Sequence, residues 1–142
     1  MNVLVSQLTD SPNPIERSQI EEYSGKFGLI NSSLDREITT RSVHIALVGG
    51  AIVGLASSDQ LPDTEQTREC KLYYLIVHPS YRRQRELHVG SKLLHAVEDF
   101  HRNNGMNRII LRSLQSAEDF YALNNYEGGL FGQGYLYKKL SG

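Results

Sequence analysis

The chain has a single cysteine, Cys70, so it cannot close an internal disulfide; that absence points to a reducing compartment, the cytoplasm. It has no apolar run near the roughly 20 residues a membrane helix requires, so no membrane contact is expected. No basic-then-apolar leader precedes Met1-Asn2-Val3. Charge of one sign is also missing. Lys and Arg total 15 against 16 Asp and Glu, a formal −1, without the basic excess of a general nucleic-acid binder. Within Tyr73 to Leu94 neither common phosphate signature is present: there is no Gly-Lys-Ser/Thr P-loop and no run of three spaced glycines. His88, His95 and His101 share a predicted helix but lack the i, i+4 spacing of a zinc helix, and no cysteines cluster, so no metal is expected. Repeats, linkers and low-complexity segments are absent too.

What is there suits one domain over residues 1–142. A hydrophobic content of 39% and a charged content of 22% are globular values, and the length allows a real core. Residues 1–70 hold ten acids and five bases, a balance of −5, while residues 71–142 hold ten bases and six acids, a balance of +4. A phosphate-bearing ligand would favour the second half and a cationic one the first.

Asn2 to Leu8 alternates and predicts a strand. Asn13-Pro14-Ile15-Glu16 reads as a capped helix start, with Ile15, Ile20, Tyr23 and Phe27 on one face, and Ser32 or Ser33 would cap a second short helix through Ile38. Val43–Val48 and Ala51–Ala56 flank Gly49-Gly50 as a β-hairpin, and Asp59 to Thr67 reads as a loop. Glu69 to Val77 predicts a central strand, apolar on both faces in its second half as a buried strand should be. A helix from His88 to Asn104 would carry Val89, Leu93, Val97 and Phe100 on its core face, leaving His95 and His101 at the surface. A parallel strand follows at Arg108–Ser113, then a short helix over Ser116–Tyr126, glycine-rich turns over Gly128–Gly134, and a last strand at Tyr135–Leu140.

The chain is organised around Tyr73 to Leu94. Its apolar strand is stopped by His78-Pro79, a basic turn Tyr81-Arg82-Arg83-Gln84-Arg85 follows, and His88-Val89-Gly90-Ser91 opens the amphipathic helix. The free N–H groups of a first helical turn and the positive end of the helix dipole attract a phosphate; Gly90 permits close approach and the arginines add charge-assisted donors. These residues read as a pyrophosphate cradle.

The stretch resembles motif A of the GNAT superfamily of N-acetyltransferases, a strand ending V-x-P, a basic turn, then R/Q-x-x-G-x-G/A opening a long helix. Val77-His78-Pro79 matches the strand end, and Arg85-Glu86-Leu87-His88-Val89-Gly90 the phosphate loop. His88 stands where the first glycine is usual, and the span from Pro79 to Gly90 is a few residues longer than in most members. Ala117-Glu118-Asp119-Phe120-Tyr121-Ala122-Leu123-Asn124-Asn125-Tyr126 resembles the superfamily's A-x-x-F-Y-x-x-x-G-F/Y, with Asn125 replacing Gly.

The resemblance implies an α/β fold over nearly the whole length: a mixed central sheet with an antiparallel first half and a splayed parallel pair in the middle, flanked by helices. It implies acetyl-CoA as cosubstrate and an amine acceptor, and allows a homodimer. Arg83, Gln84, Arg85, His88, Val89, Gly90 and Ser91 would grip the diphosphate. The backbone of Leu75, Ile76 and Val77 would receive the pantetheine arm and offer an oxyanion donor. Tyr121 would protonate the departing thiolate. Many members carry a glutamate base on the central strand; Lys71 stands at that spacing here, and Glu69, two residues earlier on the same nominal face, is the candidate base acting through a water. The amine would attack directly, with no acyl-enzyme on Cys70. The acidic first half favours a small cationic amine or a peptide amino group. A non-catalytic acyl-CoA-binding regulatory module of the same fold is the competing class, motivated by His88 and Lys71 at the departing positions. A helix–turn–helix DNA-binding protein is a third class, and it would require a basic surface.

Overall fold

The computed structural model describes residues 2–8, 18, 41–62, 67–82, 84–129, 132 and 134–140, with the backbone alone of Arg85. Of the helices expected over Asn13–Phe27 and Ser32–Ile38, every residue but Ser18, which is helical, lies outside the described residues. Among the described residues there are seven strands: β1 (Val3–Leu8), β2 (Ser42–Val48), β3 (Ala51–Gln60), β4 (Glu69–Val77), β5 (Arg108–Arg112), β6 (Glu127–Gly128) and β7 (Tyr135–Lys139). They hydrogen-bond in the order β1-β2-β3-β4-β5-β7-β6. The helices whose bounds lie within the described residues are α1 (Pro79–Arg82), α2 (Val89–Asn103) and α3 (Glu118–Leu123), with 3-10 turns at Arg85–Leu87 and Gln115–Ala117. None is long and apolar enough, among the described residues, to cross a membrane.

By internal packing the chain falls into two compact units, one drawn from Met1–Ser57 and Tyr74–Val97, the other from Ser58–Tyr73 and Glu98–Gly142. In the first, β1 pairs antiparallel with β2 from Val3↔Val48 to Leu8↔Val43. Gly49 and Gly50 then take φ of 57° and 81°, the twin left-handed turn that only small or turn-forming residues adopt readily, and send β3 back alongside. β3 is buried at every position from Ile52 to Ser58, as a strand covered on both faces must be. Leu8, Val43, Ile45, Ile52 and Leu55 cluster on it, with Leu47 and Ile76 packed alongside. The front half of α2 is seated over Gly54, where a Cβ would stand 3.2 Å from Leu93 Cδ2. Val89, Leu93, Leu94 and Val97 are all buried there, each contributing about 1.5–3 kcal/mol of apolar burial.

In the second unit β4 and β5 run parallel, from Glu69↔Arg108 to Leu72↔Leu111, and β7 pairs antiparallel with β5 from Arg108↔Lys139 to Arg112↔Tyr135. Cys70, Leu72, Met106, Ile109, Leu111 and Leu140 form its apolar core. The back of α2 ends in a Schellman motif: Met106 N–H donates to His101 O at 2.9 Å and Gly105 N–H to Arg102 O at 3.1 Å, with Gly105 at φ 83°.

The mixed sheet, with its antiparallel first half and parallel β4–β5 pair, is as expected. Three expectations need correction. Asp59 and Gln60 belong to β3 rather than to a loop. The second half of β4 is not buried: Tyr73, Leu75, Ile76 and Val77 are half-buried and Tyr74 is 36% exposed, because β4 runs on for five residues after its parallel register with β5 ends. On α2 the outward and inward assignments exchange at one step, since His101 is fully buried and Phe100 only half-buried.

Candidate active site

In the first unit, β4 ends where His78 N–H donates to Val53 O at 2.8 Å. Leu75, Ile76 and Val77, the backbone positions expected to meet a pantetheine arm, form the half-buried end of β4. The Arg82 guanidinium donates from Nε to Val77 O at 2.7 Å and anchors the turn to the strand end. His78 Nδ1 accepts from Ser80 N–H at 3.1 Å and caps α1. Gln84 is half-buried, and its Nε2 donates to Ser80 O at 3.2 Å. Arg83 lies outside the described residues.

His88 takes φ 50°, a left-handed conformation rare for a side chain of its size. It stands at the position where the family pattern has glycine, and it adopts the glycine-like geometry. Its carbonyl accepts the Lys92 N–H at 2.9 Å, the first closed helical bond of α2. The amides of Val89 and Gly90 lie ahead of that bond, in the turn for which a helix supplies no acceptor. Val89 is buried, Gly90 and Ser91 are half-buried, and the His88 side chain is exposed. The helix thus opens with its positive end beneath a sharp left-handed bend, the geometry an anion requires.

In the second unit, α3 presents Tyr121, which is 8% exposed. The helix closes with Tyr126 N–H on Tyr121 O at 3.0 Å and Asn125 N–H on Ala122 O at 3.0 Å, with Asn125 at φ 71°. Asn125 therefore serves in the role of the family's glycine. The Tyr121 ring meets Phe120 and Tyr126 edge-on at 5.1 and 5.5 Å between centroids. Burial alone pushes its phenol up to about 12, so it is neutral across the physiological range. Its hydroxyl makes no hydrogen bond with the described residues.

Glu69 stands in the parallel register opposite Arg108. Arg108 Nη2 lies 3.1 Å from Oε1 and Nε donates to Oε2 at 3.2 Å, while Thr67 Oγ1 donates to Oε1 at 2.9 Å. Burial raises the Glu69 pKa, but the hydrogen bonds from Arg108 and Thr67 and the Arg108 charge outweigh it and hold the carboxyl below its ordinary range. Lys71 points its ammonium at the Tyr73 ring, 5.0 Å from the centroid. The Cys70 thiol is buried and pushed up to about 12, chiefly by desolvation. Among the described residues, no three His, Cys, Asp or Glu side chains gather as metal ligands would.

Two buried polar groups of the second unit escaped sequence reasoning. Glu98 on α2, 2% exposed, accepts the Tyr126 hydroxyl at 2.7 Å on Oε2 and the Lys138 ammonium at 2.9 Å on Oε1. His101 is bonded to Ser58 Oγ at 2.8 Å through Nε2, while its buried Nδ1 has no partner among the described residues. Both continue the apolar stripe by steps of four, Leu94 to Glu98 and Val97 to His101, and that spacing is the signal that could have placed them inside.

A strand that outruns its parallel partner, a long helix opened by a left-handed residue, and a following strand and short aromatic helix define the N-acyltransferase class of fold. Residues 7–126 match the model of the Acetyltransferase (GNAT) family, and the chain belongs to that family. Solved structures share the fold. An aminoglycoside acetyltransferase from an uncultured soil metagenomic sample, in complex with trehalose, superposes with a TM-score of 0.71 at 21% identity, over 92% of this chain and 93% of that one. The PaiA N-acetyltransferase of Thermoplasma acidophilum, in complex with coenzyme A, gives 0.73 at 14% identity, over 98% and 99%. An aminoglycoside 6′-N-acetyltransferase complexed with coenzyme A gives 0.74 at 15%, over 96% and 97%. At such identities the likeness speaks for the fold alone. No curated protein matches the sequence.

Proposed function

We propose that this chain is an enzyme that moves the acetyl group of acetyl-CoA to a primary amine by direct attack of the amine on the thioester. The observation that carries the reading is the course of the backbone from β4 to α2. An open strand end, Tyr73–Val77, leads through a basic turn to a left-handed His88 and the first amides of a long helix. In this reading the amides of Val89, Gly90 and Ser91 take the diphosphate, with Arg83, Gln84 and Arg85 around them. The backbone of Leu75, Ile76 and Val77 receives the pantetheine arm, and a backbone N–H of that stretch meets the oxyanion.

As the amine nitrogen bonds to the carbonyl carbon, the carbon–sulfur bond breaks, the thiolate departs and the ammonium proton leaves to water. Tyr121 is the group assigned to the thiolate. A phenol at about 12 is too weak an acid to hand its proton over outright. Full transfer to a thiolate of ordinary pKa, about 8.5, is uphill by about 5 kcal/mol. Its contribution is a hydrogen bond donated to the developing charge. Glu69, already spent on Arg108, is a poor proton acceptor. We assign it to holding β4 against β5, with the proton passing to solvent.

The acceptor is a cationic amine, a small polyamine-like or aminoglycoside-like molecule or a peptide amino group. The acid surplus of residues 1–70 and the aminoglycoside acetyltransferases of the same fold support this. The lone Cys70 fits a reducing cytoplasm.

The test has two parts. A thermal shift with acetyl-CoA and with coenzyme A establishes binding. Free-thiol release with kanamycin, spermidine and a short lysine peptide then establishes transfer and separates the enzyme from a regulatory module. Tyr121→Phe is expected to lower kcat about 10²-fold, as loss of one donor to developing charge does, with KM for acetyl-CoA unchanged. Absence of any shift with either ligand would sink the assignment.

A further inference from the structure

We propose that Glu98 is a positioning residue: by holding the Tyr126 hydroxyl it sets where the Tyr121 phenol stands. The inference rests on the assignment of Tyr121 to the departing thiolate and adds to it the group that places that phenol. α3 has six residues, too few to hold itself as a helix. The Tyr121 hydroxyl makes no hydrogen bond with the described residues, so the ring is placed by packing and by its own backbone. Tyr126 supplies both. Its N–H donates to Tyr121 O at 3.0 Å, and its ring abuts Tyr121 edge-on at 5.5 Å and 66°. Tyr126 is fixed in turn by Glu98, whose Oε2 accepts its hydroxyl at 2.7 Å.

The other Glu98 oxygen takes the Lys138 ammonium from β7, at 2.9 Å, and that ammonium also lies 5.7 Å from the Tyr126 ring centroid. One carboxylate therefore ties the middle of α2, the exit of α3 and β7 together. An apolar residue of similar size would pack such a place at least as stably, since desolvating a charge pair is costly. What the carboxylate adds is a directional hold on one hydroxyl. A reacting group displaced by about 1 Å loses about 10²-fold in rate, so the hold has a kinetic consequence.

The experiment compares Tyr126→Phe in the natural chain and in a Tyr121→Phe background, using acetyl-CoA and the best acceptor of the three amines above. In the natural chain Tyr126→Phe is expected to lower kcat about 10-fold with KM for acetyl-CoA unchanged. In the Tyr121→Phe background the added loss is expected to stay under about 2-fold, because the positioned hydroxyl is already gone. Glu98→Gln keeps an oxygen for Tyr126 and is expected to retain most of kcat. Equal losses in both backgrounds, no loss in the natural chain, or a Glu98→Gln loss as deep as that of Tyr126→Phe would each overturn the inference.

An unchanged rate in Tyr121→Phe alone removes the assignment of Tyr121, and the positioning role falls with it. A Tyr121→Phe loss beside an intact Tyr126→Phe removes the positioning role only. If Tyr126→Phe does not fold, Lys138→Met, which weakens the same carboxylate from its outer side, is read in the same two backgrounds. If no amine is turned over, the ¹³Cζ resonance of Tyr121 in tyrosine-labelled protein decides. It is expected to shift or broaden in Tyr126→Phe, and an unmoved line counts against the inference.

Discussion

His101 should make the protein acid-sensitive in a defined window. Its ring is fully buried, Nε2 is bonded to Ser58 Oγ at 2.8 Å, and Nδ1 has no partner among the described residues. Protonation would bring a charge and a second buried N–H into a site that can satisfy only one. Burial accordingly lowers its pKa from 6.5 to about 4, with Asp59 pulling weakly the other way. The folded protein thus holds the neutral ring, while the unfolded chain takes up a proton as pH falls through 6.5. Stability from this group is complete above the unfolded value and is lost progressively down to the folded one. Linkage gives a loss of about 2 kcal/mol between about pH 8 and about pH 5, rising to about 3 kcal/mol below about pH 4.

Urea unfolding across that range, on the natural chain and on His101→Gln, isolates the effect. Glutamine does not titrate and can still offer an N–H to Ser58 Oγ. Groups common to both proteins cancel in the difference, including Glu69, whose depressed pKa costs stability only at lower pH. The two stabilities are expected to converge by about 2 kcal/mol at about pH 5, a melting-temperature change of about 4–8 °C. Parallel pH curves for the two proteins would refute the reasoning, since the buried ring would then carry no depressed pKa.

Three further outcomes follow from particular contacts. Gly54→Ala places a Cβ 3.2 Å from Leu93 Cδ2, 3.3 Å from Ala46 Cβ and 3.4 Å from Ile76 O. Overpacking of about 1–3 kcal/mol, less about 0.5–1 kcal/mol from removing glycine's flexibility, leaves a net loss of about 1 kcal/mol; an unchanged urea midpoint speaks against it. Cys70, with its thiol near 12, should resist iodoacetamide in the native protein at about pH 8 and react once urea unfolds the chain; fast native labelling contradicts its burial. Glu69→Gln should lower stability through the lost Arg108 pair yet leave the acidic limb of the kcat/KM pH profile in place; disappearance of that limb restores Glu69 as the base.

Much of the fold was legible because the residues that set it have one dominant physical role. Gly49-Gly50 could hardly be anything but a tight turn, and the apolar period of Val89, Leu93 and Val97 fixed both the helix and its inner face. Two of the departures from the family pattern, Asn125 and His88, take left-handed backbone. Asparagine tolerates a left-handed bend better than most side chains, and Asn125 takes φ 71°. His88 gave no such signal, since histidine at φ 50° is an expensive choice that only the surrounding turn can impose. The end of β4 misled for a related reason: apolar residues on both faces are compatible with a buried strand and with a half-buried one alike.

Polar residues on an apolar stripe were the harder case. Glu98 and His101 sit four residues after Leu94 and Val97, but a charged or imidazole side chain on a helix is ordinarily solvated. Sequence alone does not show the Tyr126, Lys138 and Ser58 partners that make burial tolerable. Those partners arrive from sequence separations of 28, 40 and 43 residues. Each is an unremarkable surface residue until the topology brings it in. The step-of-four spacing shows which face a polar residue shares; the cost of burying it unpaired then implies that a partner must exist elsewhere in the chain. Read together, these two facts turn a misplaced charge on a helix into a search for its counterpart, and here that search leads through Tyr126 to Tyr121.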